Sequence, residues 1–144
     1  MNKQRIISLI DQLNIYLNEL KEHIPKKFQE YSKNIEKKRF CERTLQLMIE
    51  VCIDISQLLV KELKLGLPAE EENLFDKLEE AKVLSEEMKL KLKEMKKFRN
   101  VLIHRYTKVD DSLVYENAVK NIKDFIEFKK EILSFLKEQK PQDN

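Results

Sequence analysis

The chain has 144 residues, of which 42% are apolar and 38% charged, with one glycine, three prolines and a formal charge of +2. A chain of this length suits one compact domain over residues 1–144, and so little glycine and proline leaves no turn chemistry for a sheet. No apolar run approaches the roughly 18 residues that cross a bilayer, and Met1 to Arg5 do not open a signal peptide, so no membrane is expected.

The expected fold is all-α, an up-and-down bundle of four to five helices. The first helix is predicted from about Lys3 to His23, where Ile6, Leu9, Ile10, Leu13, Leu17 and Leu20 recur at helical spacing until Pro25 stops it. A basic connection follows, holding Lys26, Lys27, Lys33, Lys37, Lys38 and Arg39, with Phe28 and Tyr31 able to pack. It leads into a long second helix from about Ile35 to Leu65, ended by Gly66 and Pro68.

From Leu45 to Val60, eleven of sixteen residues are apolar and occupy nearly the whole circumference, so this helix needs cover on two sides. The bundle core supplies one; a second copy of the chain is the economical cover for the other, which predicts a homodimer. Gln46, Glu50, Asp54 and Gln57 form one thin polar line through that surface, either facing a cleft or simply half-exposed. Cys41 and Cys52, eleven residues apart, are separated by about 16 Å of helix rise, beyond disulfide reach. They read as free core thiols, which fits a reducing cytoplasm.

A short third helix is predicted over about Glu70 to Ala81, and Ser85, with Glu86 and Glu87 behind it, caps a fourth. Asp110, Asp111 and Ser112 offer caps for a fifth, ending before Pro141. Charge is uneven here. Residues 70–87 hold eight acids against two lysines, whereas residues 89–108 hold eight Lys or Arg against one acid, Glu94. The basic run points to an anionic partner, or else to a Lys-rich face kept for solubility.

Within that run lies the string Arg99, Asn100, Val101, Leu102, Ile103, His104, Arg105, Tyr106. A guanidinium that can hold a phosphate, beside an imidazole titrating near neutrality, is the minimum kit for cleaving RNA without a metal. On a regular helix Asn100 and His104 share a side, but Arg99 lies about 140° from His104 and aligns with Tyr106. The helix must therefore end or bend near His104, or another element must complete the constellation.

RNA cleavage through the 2′-hydroxyl needs a proton acceptor, a proton donor for the leaving 5′-oxygen, and positive charge on the phosphate. His104 and Arg99 supply two of the three. The missing acid is either the His104 of a second subunit or Tyr106, and Asn100 either orients the imidazole or contacts the nucleotide. No cluster of His and carboxylates has metal-ligand spacing, so the chemistry is read as metal-independent, with no cofactor. The plainer readings are an ordinary helix-end histidine, a Tyr106 at the edge of the core and an Arg99 in a surface ion pair.

The eight-residue string followed by Asp110 and Asp111 resembles the HepT toxins of the HEPN superfamily, and Glu42, Arg43, Leu45, Asp54 and Ile55 look like that family's second helix. The resemblance covers roughly Arg39 to Leu136. It implies a dimeric helical bundle with its Arg and His motifs at a shared cleft, acting as a metal-independent endoribonuclease toxin. Arg99 and His104 would be catalytic, with Asn100, Asp54 and Tyr106 supporting RNA binding. It also implies an antitoxin, a minimal nucleotidyltransferase that transfers AMP to Tyr106, placing negative charge and bulk where RNA would lie. Some relatives of this kind are instead non-catalytic partners of nucleotidyltransferases. One departure is Gln57, where many relatives would carry asparagine; an amide is kept.

Overall fold

Asn2 starts the chain's first helix by accepting the backbone N–H of Arg5 at 3.3 Å. The computed structural model describes residues 1–104 and 108–139, and all regular structure among them is helical. The order is α1 (Lys3–His23), α2 (Phe28–Lys33), α3 (Ile35–Glu62), α4 (Asn73–Glu80), α5 (Glu86–Ile103), α6 (Asp111–Val119) and α7 (Ile122–Glu138). The all-α expectation holds, with seven described helices rather than four or five.

Two departures account for the difference. The basic connection after α1 folds into α2, because Tyr31 is fully buried and its ring packs against Phe28 and Tyr115, with centroids 6.3 and 5.1 Å away. The Tyr115 hydroxyl donates to the Pro25 carbonyl at 2.7 Å, so the turn that proline forces is tied to the far end of the chain. The expected fifth helix is interrupted at Lys120 and Asn121, dividing it into α6 and α7. There Asn117 and Asn121 turn their side-chain amides to Leu113 O and Asn117 Oδ1, competing with the backbone ladder.

α3 is the central element. Twelve of its residues are buried, from Cys41 to Val60, and α1, α2, α4, α5 and α6 all pack against it. The chain thus covers α3 by itself, and the apolar girth of that helix does not demand a second copy. α3 stops at Glu62 rather than Leu65, because Lys64 takes a left-handed conformation (φ 55°) and the Leu65 N–H returns to Val60 O at 3.0 Å. Lys77 then donates to Leu65 O at 3.0 Å, closing the exposed helix end.

Cys41 and Cys52 are free and buried, as expected. Burial pushes the Cys41 thiol up to about 11 and Cys52 higher still, so neither is a ready thiolate. Among the described residues no helix is long and apolar enough to cross a membrane.

Candidate functional site

α5 carries the motif. Ser85 caps its start by accepting the Met88 N–H at 3.1 Å, and Met88, Leu92, Met95, Phe98 and Leu102 bury one face of it. The helix ends at Ile103. His104 sits in the cap position (φ −80°, ψ 83°), exposed, its backbone N–H donating to Asn100 O at 3.0 Å. Regular helix therefore stops just before His104.

Arg99 is not a surface cation. Only 15% of its side-chain surface is exposed, its Nη2 donates to Glu71 Oε1, and its Nε is buried with no protein partner. Glu71 comes from the segment between α3 and α4, so the guanidinium bridges that segment to the last turn of α5. Across from it runs the polar line of α3, where Gln46 donates to Glu50 Oε1 at 3.0 Å and Asp54 is exposed. Burial pushes the Asp54 carboxyl above its usual range, helped by the negative charges of Glu50 and Glu71 and opposed by Arg5 and Arg99. Asp54 and Arg99, predicted as one site from positions 45 residues apart, are thus within electrostatic reach of each other. Asn100 is half-buried in the same turn as Arg99, while Tyr106 lies outside the described residues.

Glu71 escaped the sequence reading. The available signal was its place in the acidic run, four of whose acids pair with cations of the basic one. Asp76 meets Lys93 at 2.8 Å, Glu79 meets Lys89 at 3.2 Å, and Lys91 bridges Glu87 and Asp124, each at 3.2 Å. Much of the basic run taken as a sign of an anionic partner is therefore neutralised within the chain. Among the described residues no group of three or more His, Cys, Asp or Glu side chains could hold a metal ion.

The raised Asp54 carboxyl makes a prediction with a definite sign. The folded state holds that proton more tightly than the unfolded chain, so ionised Asp54 costs stability at neutral pH, and the cost is relieved as pH falls through its folded-state value. Asp54→Asn should raise the unfolding midpoint at pH 7 by about 1–3 °C, the effect being small because the group is partly solvated. The gain should fade toward pH 3 in thermal melts; a variant less stable than the parent at pH 7 would contradict the assignment.

The chain is similar to known proteins over most of its length. The family model "Ribonuclease HepT-like" matches residues 13–132. The chain is 26% identical over 106 residues to tRNA nuclease HepT of Aphanizomenon flos-aquae, spanning 74% of this chain and 72% of that protein. It is 27% identical over 84 residues to mRNA nuclease HepT of Shewanella oneidensis, spanning 58% of this chain and 63% of that one. A solved structure of the tri-AMPylated Shewanella oneidensis HEPN toxin in complex with MNT antitoxin superposes with a TM-score of 0.83 at 21% identity, over 90% of this chain and 96% of that one. At that identity the likeness is one of fold.

Proposed function

The chain belongs to the HepT-like ribonuclease family, and on that premise we propose that it is a metal-independent endoribonuclease toxin of a toxin–antitoxin pair, with Arg99 and His104 at its centre. The observation that carries the reading is the end of α5: a desolvated guanidinium in its last turn and an exposed imidazole at its cap, with the polar line of α3 alongside. A guanidinium in so dry a setting stabilises charge developing on a phosphate more strongly than one in water. The RNA 2′-oxygen attacks phosphorus, its proton passing to one imidazole. The bond to the 5′-oxygen breaks as a second imidazole protonates it, leaving a 2′,3′-cyclic phosphate and a 5′-hydroxyl.

His104 is one imidazole per chain, so the second is the His104 of another copy in a homodimer. The support for a dimer lies in α5 and α6. Leu90, Val101 and Leu113 are 54%, 42% and 42% exposed and frame a cavity of about 560 Å³ beside the end of α5. The cognate antitoxin is a minimal nucleotidyltransferase acting on Tyr106, a proposal supported by the AMPylated toxin complex that shares this fold. AMP there would add a phosphate's negative charge and bulk to the motif and exclude RNA.

Purified protein should cut RNA in the presence of EDTA and arrest growth when expressed without its antitoxin. The pairing of Arg99 with Glu71 favours one other reading, a non-catalytic subunit whose guanidinium charge is already neutralised. That reading predicts no cleavage and no arrest, together with a stable complex with the nucleotidyltransferase.

A further inference from the structure

The cations of the motif helix are mostly spoken for, but two others are not. Arg43, on the solvent side of α3, and Lys108, just ahead of α6, are exposed, and neither makes an ion pair among the described residues. Both line a cavity of about 620 Å³. Its other cations are already neutralised, Lys38 by Asp111 at 3.2 Å and Arg39 by Glu42 at 2.9 Å. Among the described residues the cavity therefore holds two uncompensated positive charges, together with the apolar side chains of Leu102 and Val109. Its volume falls in the range of roughly 300–1,000 Å³ typical of sites for small ligands.

Its position gives the cavity a role. Leu102 belongs to the last turn of α5, two residues before His104, and Gln46 on the same wall begins the polar line that continues to Asp54. From Arg43 to Asp54 is eleven residues, about 16 Å of helix rise, a span that a strand of a few nucleotides covers. We propose that this cavity is a subsite for a phosphodiester of the RNA strand away from the scissile bond, with Arg43 and Lys108 on the phosphate and a base against Leu102 and Val109. The chemistry is that of strand tracking: cations on the backbone and an apolar surface under the base, independent of sequence. The inference rests on the ribonuclease reading, and it assigns substrate positioning to residues outside the motif.

The test measures binding of a short 2′-O-methyl RNA, which has no free 2′-hydroxyl and cannot be cut, to the parent, Arg43→Glu and Lys108→Glu, with Lys21→Glu on α1 as a charge-matched control. Each subsite variant should weaken binding about ten-fold and lower the slope of log affinity against log salt by about 0.7 for each phosphate no longer neutralised, while Lys21→Glu changes neither. With cleavable RNA the same two variants should raise KM and leave kcat at saturation unchanged. Affinity equal to the parent's in both variants, or a loss matched by Lys21→Glu, would overturn the subsite; a parent that still cuts RNA would leave the ribonuclease reading standing. Unchanged RNA binding with weakened binding to the nucleotidyltransferase would also overturn it, assigning the surface to a protein partner. A parent that binds the RNA in this way but never cuts would uphold the subsite and defeat the ribonuclease reading.

Discussion

His104→Ala should lower RNA cleavage by at least about a hundred-fold while leaving the protein folded. General acid–base catalysis by a positioned side chain contributes about 10²–10⁴-fold, and here one residue type supplies both proton transfers. His23, the other histidine in the sequence, ends α1 with its ring edge-on to Phe40, centroids 5.4 Å apart, and so takes a packing role. Because His104 is exposed at a helix cap, truncating it removes little buried surface. Circular dichroism should therefore show the parent's helical content, separating lost chemistry from lost fold. If two copies share one centre, assemblies holding one parental and one His104→Ala chain should be no more active than the variant alone. A variant that cuts as well as the parent removes His104 from the mechanism.

Arg99→Ala should cost about 10²–10³-fold in kcat, about 3–4 kcal/mol, the scale of losing one preorganised donor to transition-state charge. The truncation does more than remove a cation. Glu71 loses its partner, and Glu50, Asp54 and Glu71 are left as a concentration of negative charge where a phosphate must sit. Arg99→Lys keeps the charge but loses the planar fork that lets one group hold Glu71 and still offer N–H donors elsewhere, so it should fall between alanine and the parent. Single-turnover rates at saturating RNA give the ordering directly. Lysine and alanine variants that match the parent would mean that the buried ion pair with Glu71 is the whole of Arg99's role.

The long helices were legible because periodicity needs length to be read. α1 came out at its observed bounds from six apolar residues at helical spacing, and α5 began where Ser85, Glu86 and Glu87 said it should. α2, with six residues, is too short to show a period, and it forms because Tyr31 finds Tyr115, a residue 84 positions away. The break between α6 and α7 depends on two asparagine side chains reaching backbone and one another, which composition alone does not announce.

The site divides in the same way. That α5 stops near His104 was one of two arrangements left open by angular arithmetic on a helix, the other being completion of the constellation by another element. That Glu71 would take Arg99 was not legible, because it depends on how the segment between α3 and α4 folds back, a matter of tertiary packing. For the same reason the two readings of the basic run, an anionic partner or a Lys-rich surface, stood level in the sequence, whereas the fold pairs Lys89, Lys91 and Lys93 with acids that precede them. Nor did the sequence single out Arg43 and Lys108, the latter one charge among eight in the basic run, as the pair left uncompensated once Lys38 and Arg39 find partners.

The nature of the cut ends bears most directly on the claim that one guanidinium and a pair of imidazoles do this chemistry through the 2′-hydroxyl. RNA digested by the purified protein in EDTA should yield fragments with 2′,3′-cyclic phosphate and 5′-hydroxyl ends, and a strand carrying a single 2′-deoxynucleotide at the scissile position should stay whole. Fragments with 5′-phosphate ends, or a 2′-deoxy strand cut as fast as its all-ribose counterpart, would contradict it.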